Sequence, residues 1–185
     1  KNKIKFFRGP DNNVVKRIYD TALKFNLKTI VEITADCPII DIDIIRNLFE
    51  IYEKNSAEYL NNCNYRSYPD GMDVQIFDII ALQKTIKQTK KTDELEHIGL
   101  YQMRNPKKFS TINIIAPKKL SFPSLGLTLD EKKDYIFLKK IMEFFGRKNI
   151  YFTCEEIIDL VNNKKSWNKI NKKVKRIGSN IYKNR

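Results

Sequence analysis

Apolar residues recur at regular intervals along most of the chain. A spacing of three to four positions predicts helices over residues 13–26, 42–55, 78–90, 130–145 and 154–162. Runs of β-branched or alternating residues predict strands over residues 4–7, 28–34, 58–61, 72–77, 108–115 and 127–129. Asp41 is expected to cap the second helix, and Gly146 is expected to end the fourth.

Strands and helices alternate through the first two thirds of the chain. This order is typical of an α/β fold with a parallel sheet covered by helices. We expect an α/β domain over residues 1–146 and a helical, basic C-terminal tail over residues 147–185.

Composition narrows the class of protein. Hydrophobic residues make up 42% of the 185 positions and charged residues 31%, a balance typical of a globular domain. No apolar run is long enough to span a bilayer. The three cysteines, Cys37, Cys63 and Cys154, are widely spaced and odd in number. This pattern argues against a disulfide scaffold or a zinc site and favours a reducing, cytoplasmic compartment.

The net charge of +13 raises nucleic acid as a partner. Nine lysines and arginines, with no acidic residue, lie in residues 160–185, and they leave only +4 for the rest of the chain. A solvated basic tail accounts for such a distribution. We therefore do not expect nucleic acid to be the partner.

Two aspartates follow predicted strands, where α/β folds bind their ligands. Asp36 comes after the strand at 28–34, and Asp130 comes after the strand at 127–129. Two carboxylates at strand ends are suited to hold a hard cation together with a nucleotide triphosphate. From the pattern alone the simpler roles stay open, since Asp130 could cap a helix and Asp36 could bond a turn before Pro38.

Other polar residues offer weaker signals. Arg8 follows a predicted strand and could meet a phosphate, or it could be an ordinary surface arginine. Asp70 and Asp73 lie beside a glycine turn, and His97, the single histidine, is flanked by acidic residues. With one histidine, a serine or cysteine nucleophile has a single candidate base. The glycine-rich signatures of dinucleotide and P-loop folds do not occur in the sequence.

Ordered blocks of sequence carry a more specific signal. They are FRGPDNNVVKRIY at 7–19, IVEITADCPIID at 30–41, YPDGMDVQIF at 68–77, EHI at 96–98, LTLDEKKDY at 127–135 and NKKV at 171–174. In this order they resemble the bacterial family of acylneuraminate cytidylyltransferases and spore-coat polysaccharide cytidylyltransferases. The blocks cover nearly the whole chain.

The resemblance implies a three-layer, Rossmann-like, mainly parallel mixed sheet of the nucleotide-diphospho-sugar transferase type. It implies Mg²⁺-dependent transfer of CMP from CTP to a sugar acid or related sugar, with release of pyrophosphate, in cell-surface polysaccharide biosynthesis. It also suggests a homodimer. By their positions in the blocks, the roles are metal ligation for Asp36 and Asp130, nucleotide binding for Arg8, Gly9 and Asp36, and sugar binding for Asp73, Gln75 and His97.

The sequence departs from the family pattern in three places. Gln75 stands where the family often has Glu, and Gly99 replaces the usual Thr after the EH(V/I) block. The family also begins with a strand and a basic loop of the type ARxxSxRLPGKxL, which this sequence lacks, so we expect a fold without the first strands. The alternative function is that of a catalytically incompetent fragment or homologue that serves as a binding module.

Overall fold

A computed structural model describes residues 4–146 and 151–175 of the chain. In these residues the helices are α1 Val14–Lys24, α2 Ile42–Glu53, α3 Ile79–Gln88, α4 Thr92–Glu96, α5 Leu100–Arg104, α6 Lys132–Phe145 and α7 Cys154–Asn163. The strands are β1 Thr29–Glu32, β2 Tyr59–Asn61, β3 Gln75–Asp78 and β4 Thr111–Asn113. Short 3-10 helices occupy Lys118–Leu120 and Trp167–Lys169.

The five predicted long helices are confirmed, the first four with shorter bounds and the last ending one residue later, at Asn163. Asn13 caps α1 through its side chain, Asp78 caps α3, and Thr153 caps α7 in a reciprocal box with Glu156. Gly146 ends α6, as expected. These ends are local features of the sequence, which explains why periodicity and capping residues were sufficient to predict them.

The four strands form a sheet in the order β1-β3-β2-β4. β1 and β3 run antiparallel, with Thr29 opposite Asp78 and Glu32 opposite Gln75. The consecutive strands β1 and β2 are therefore not neighbours, because β3 lies between them. An isolated parallel bridge joins Asp70 to Gly126. The predicted α/β class with a mixed sheet is confirmed.

Two of the predicted strands are wrong. Residues 4–10 have no regular secondary structure, and Ile4 and Phe6 are 79% and 74% exposed rather than buried. Residues 127–129 also form no strand, because Leu127 N–H bonds the Asp70 carbonyl whereas Leu129 N–H bonds that of Asp36. Strands need a continuous hydrogen-bonded neighbour, and these two segments have none within the described residues.

The chain divides into two compact units. The first comprises Lys1–Glu32, Tyr52–Leu60 and Gln75–Ile112, and the second comprises Ile33–Ile51, Asn61–Val74 and Asn113–Arg185. The boundary predicted at residue 146 falls next to residues 147–150, which lie outside the described residues, as do the last ten residues of the predicted tail. That boundary stays a prediction.

The first unit contains most of the sheet together with α1, α3, α4 and α5. Its core lies around β2 and β3, where the rings of Tyr59 and Phe77 stack at 4.7 Å and both side chains are fully buried. Ala81 and Leu82 of α3 are also fully buried, so the helix packs through one face.

The second unit contains most of α2 together with α6 and α7. Its largest fully buried apolar side chains are Leu48, Met72, Leu125, Leu127, Phe137, Ile141 and Ile157. The backbone of residues 72–74 pairs with the side chain of Asn62 instead of with a strand. The Asn62 amide donates to the Met72 carbonyl at 2.8 Å and accepts from Val74 N–H at 2.8 Å. The predicted strand at 72–77 consequently begins only at Gln75.

The buried carboxylate of Asp41 serves two helices in the second unit. Its Oδ1 accepts from Asp43 N–H at the start of α2 at 2.8 Å, and its Oδ2 accepts from Cys154 N–H at the start of α7 at 2.7 Å. The predicted capping of α2 is confirmed, and the bond to α7 joins positions 113 residues apart. Negative charge near two helix N-termini is favourable for both.

We expect Asp41→Ala to lower the free energy of unfolding by about 3 kcal/mol, because it removes a helix cap and a charged hydrogen bond and leaves buried N–H groups unpaired. Urea denaturation of the whole chain measures the change. Asp41→Asn keeps one acceptor oxygen and should lose only about 1 kcal/mol. Equal losses in both variants would contradict the assignment of two separate bonds.

Candidate functional site

Asp36 lies in the loop after β1 and is half-buried. Its carbonyl accepts the Leu129 N–H at 2.8 Å, and its carboxylate accepts from the Cys37 thiol at 3.6 Å. The backbone bond places Asp36 beside the residue that directly precedes Asp130. The structure of the second unit thus brings the two predicted metal ligands into neighbouring segments.

Asp130 is exposed immediately before α6. The helix is capped by Glu131, which forms a reciprocal box with Asp134, so the alternative in which Asp130 is the cap is wrong. The Asp130 carboxylate instead accepts from the Thr128 hydroxyl at 2.8 Å. Glu131 thus starts the helix, and the Asp130 carboxylate is oriented by Thr128 in the preceding loop.

Asp134 fixes the backbone on which Asp130 sits. Its fully buried carboxylate accepts from the N–H groups of Asp130 at 3.3 Å and Glu131 at 2.9 Å, and from the Asn171 amide at 2.8 Å. The same amide also donates to the Gly126 carbonyl at 3.0 Å. Neither Asp134 nor Asn171 was singled out as a site residue, although both lie in blocks that carry the family resemblance.

Asp73 belongs to a charged cluster in the second unit. Arg66 Nη1 lies 2.6 Å from Asp73 Oδ1 and 3.3 Å from Asp70 Oδ1. Burial raises the pKa of Asp73, and the charge of Arg66 opposes that rise without cancelling it. Burial acts to lower the pKa of Arg66, but the two carboxylates outweigh it and raise that pKa. Arg66 was missed, because residues 66–70 form no helix in which a spacing of four would predict a contact with Asp70.

Cys37 and Cys154 are not suited to act as nucleophiles. None of the three cysteines forms a disulfide, and burial is the main cause that raises the pKa of Cys37 and of Cys154 to about 12. A thiol with so high a pKa stays protonated near neutral pH and is a poor nucleophile. Covalent catalysis by Cys37, which lies next to Asp36, is therefore disfavoured.

The predicted nucleotide-binding pair lies in the first unit. Arg8 is exposed, and Gly9 is half-buried. A Cβ at Gly9 would approach Arg17 Cγ to 2.9 Å, and Arg17 in turn donates to the Pro10 carbonyl at 3.0 Å. Glycine is therefore required for the close packing of this turn against α1, and that local role accounts for it without a ligand.

Gln75 and His97 also lie in the first unit. Gln75 is buried, and its amide bonds both Tyr59 and Glu32. His97 is half-buried at the C-terminal end of α4, where its N–H donates to the Asp93 carbonyl at 2.9 Å. Glu32 and Tyr59 were not among the predicted site residues, since neither carries a motif by itself.

The described residues contain no group of three or more His, Cys, Asp or Glu side chains arranged to hold a metal ion. Proteins bind Mg²⁺ through one or two carboxylates, while substrate phosphates and water complete the shell. Asp36 and Asp130 fit that donor set.

Within the part of the chain that the structure describes, no helix is long and apolar enough to cross a membrane.

Comparison with known proteins gives consistent results. The cytidylyltransferase family model matches residues 2–179. The chain is 28% identical to the uncharacterized protein MJ1063 of Methanocaldococcus jannaschii, over 96% of this chain and 68% of that one. It is 23% identical to the spore coat polysaccharide biosynthesis protein SpsF of Bacillus subtilis, over 88% of this chain and 66% of the relative.

A solved cytidylyltransferase from Leptospira borgpetersenii has a similar structure. The TM-score is 0.82 at 30% sequence identity, and the match covers 87% of this chain and 67% of the other. The chain thus spans about two thirds of the length of the proteins that it matches. The predicted family and its fold are confirmed.

We expect Asp73→Asn to gain stability relative to the wild type as pH rises. Burial raises the folded-state pKa of Asp73, so its contribution is fully present below the unfolded value of about 3.9 and is lost as pH rises through the folded pKa. Urea denaturation of both proteins at intervals between about pH 4 and pH 7 measures the difference.

Asp93→Asn provides a control of opposite sign. The hydrogen bond from Arg104 is the main cause that lowers the pKa of Asp93, so its contribution is present above the unfolded pKa and is lost as pH falls. This variant should lose stability relative to the wild type as pH rises toward the unfolded pKa of about 3.9, so its series of measurements starts at about pH 2.5. Parallel trends in the two variants would contradict the opposite pKa shifts.

Proposed function

The chain belongs to the cytidylyltransferase family, and we propose that it transfers CMP from CTP to a sugar acid or a related sugar with release of pyrophosphate. The attacking group is a sugar hydroxyl and the electrophile is the α-phosphate of CTP. We further propose that Mg²⁺ supports the reaction, held by Asp36 and Asp130.

One observation carries the assignment of these ligands. The hydrogen bond from Leu129 N–H to the Asp36 carbonyl, at 2.8 Å, joins the loop of Asp36 to the segment that ends in Asp130. Carboxylate oxygens are the ligands that Mg²⁺ takes in proteins, and the triphosphate of CTP supplies others. When bound, the ion would neutralise charge on the phosphates and stabilise the departing pyrophosphate.

The surroundings of Asp130 support this role. Asp134 bonds the backbone N–H of Asp130, and Thr128 donates to its carboxylate, so both the main chain and the side chain are oriented before any ligand arrives. Orientation of a metal ligand by surrounding hydrogen bonds is a usual feature of such sites. The main chain of Asp36 is held by the hydrogen bond from Leu129 N–H to its carbonyl.

The remaining candidates complete the proposal. We assign Arg8 to the nucleotide, since a guanidinium suits phosphate oxygens. Gly9 is assigned with it only because it lies next to Arg8 in the same sequence block. We assign Asp73, Gln75 and His97 to the sugar. Three buried cysteines that form no disulfide support a reducing compartment such as the cytoplasm, and the family resemblance supports a homodimer. The name of the Bacillus subtilis relative supports a role in polysaccharide biosynthesis.

We expect Asp36→Ala and Asp130→Ala each to lower the rate of pyrophosphate release by on the order of 100-fold or more, because each removes a charged metal ligand. The assay contains CTP, Mg²⁺ and a panel of sugar acids and neutral sugars. Asp159→Ala, on the exposed side of α7, is the control and should retain the wild-type rate.

The outcomes separate the two parts of the proposal. Release retained in both variants would reject Asp36 and Asp130 as the metal ligands. A folded wild-type protein that releases no pyrophosphate with any sugar would reject nucleotidyl transfer itself. That result would favour the alternative in which the chain is a catalytically incompetent binding module.

A further inference from the structure

A chain of hydrogen bonds in the first unit leads from the core to a half-exposed carboxylate. The hydroxyl of fully buried Tyr59 bonds Gln75 Oε1 at 2.5 Å, and Gln75 Nε2 bonds Glu32 Oε2 at 3.2 Å. Gln75 is the first residue of β3, and it lies directly opposite Glu32, the last residue of β1. The register of the two strands thus brings both side chains to one end of the sheet.

The direction of each bond follows from the chemistry of the groups. An ionised carboxylate only accepts, so Gln75 must direct its NH₂ group at Glu32. The amide oxygen then faces Tyr59, whose hydroxyl must donate. This series of hydrogen bonds therefore orients the Glu32 carboxylate from the side of the core. Its donors, the Gln75 amide and the Tyr59 hydroxyl, are buried.

Gly99 provides the space for this arrangement. Its φ of +86° lies in the region that favours glycine, and a Cβ there would overlap both Gln75 Oε1 and the Tyr59 hydroxyl. Gly99 and Gln75 are two of the positions where the sequence departs from the family pattern. Because the two residues touch, the departures are parts of one local structure.

We propose that Glu32 accepts a hydrogen bond from a hydroxyl of the sugar substrate. Gln75 and Tyr59 are positioning residues that do not contact the sugar. The proposal rests on the proposed nucleotidyl transfer. Glu32 ends β1, and α/β folds bind ligands beyond the carboxyl ends of strands. It precedes Asp36, a proposed metal ligand, by four positions in the sequence.

The charge of Glu32 determines the class of group that it recognises. A carboxylate has about four lone-pair sites, so it can accept from a ligand in addition to Gln75. It attracts hydroxyl donors and repels the carboxylate of a sugar acid. The part of the sugar that meets Glu32 is therefore a hydroxyl-bearing part, and the role assigned above to Gln75 becomes indirect.

Gln75 is required for this role because glutamate at the same position could not perform it. An ionised carboxylate there would accept a hydrogen bond from the Tyr59 hydroxyl but could donate none to Glu32. Two negatively charged carboxylates would then face each other. Protonation of one carboxyl restores a donor. Gln75→Glu should therefore make sugar binding pH-dependent, which a purely structural role would not do.

The test measures sugar binding to the full chain by isothermal titration calorimetry. The probes are N-acetylneuraminic acid, ketodeoxyoctonic acid and N-acetylmannosamine, each without nucleotide, and the Kd of CTP is measured separately. We expect Glu32→Gln to weaken binding of the preferred sugar about tenfold, the loss of one charged hydrogen bond, and to leave the Kd of CTP unchanged.

Gln75→Glu should weaken binding of the same sugar about tenfold at pH 8, and its affinity should approach that of the wild type near pH 5.5. Gln88→Glu is the matched control, since Gln88 also accepts from a tyrosine hydroxyl, that of Tyr101, at 3.0 Å but does not bond Glu32. It should bind the sugar as the wild type does at both pH values. Circular dichroism verifies that each variant is folded.

Each outcome supports or overturns the proposal. Sugar affinity that is unchanged in Glu32→Gln, or a wild type that binds none of the three probes, overturns it. An equal loss of sugar and CTP affinity also overturns it, since Glu32 would then act on the fold. If sugar binding behaves as expected and no pyrophosphate is released with CTP and Mg²⁺, the transfer reaction fails and the sugar site stands.

Discussion

Buried carboxylates that accept backbone N–H groups are the constraint on which the second unit depends. Much of this unit consists of loops, whose N–H groups would be costly to bury without acceptors. Asp41 satisfies the first turns of α2 and α7, and Asp134 satisfies the turn before α6. Both join segments far apart in sequence, since Asp41 reaches Cys154 and Asp134 reaches Asn171. Loss of either acceptor would release two segments at once.

The same constraint determines what the candidate site can do. Because Glu131 and Asp134 together start α6, Asp130 is not needed for capping, and its carboxylate remains at the surface. Asp36 is reached through a backbone bond that leaves its side chain to other partners. Two exposed or half-exposed carboxylates do not by themselves make a strong cation site. In the function that we propose, the triphosphate of CTP supplies the further ligands, so the metal would enter together with the substrate.

Helices were predictable because their signals are local, as at Asn13 and Thr153, which cap the helices that they precede. Strands were less predictable, because a strand requires a hydrogen-bonded neighbour that can lie far along the chain. The exposed Ile4 shows that an apolar run alone does not make a strand. Asp36 and Asp130 were proposed as metal ligands from their blocks, and that role stays a prediction. The contacts of Arg66, Glu32 and Tyr59 could not be predicted, since they join positions 7, 43 and 16 residues apart.

The pair of Gln75 and Gly99 shows how a departure from a family pattern can be interpreted physically. Taken separately, an amide in place of a carboxylate weakens a charged contact, and a glycine in place of threonine loosens a turn. Taken together they are complementary, because the glycine admits the amide and the amide orients Glu32. A carboxylate at position 75 would itself be the anionic group at this end of the sheet. With Gln75 neutral, that charge resides on Glu32, one strand away, and selection among sugars shifts to a different side chain of the same fold.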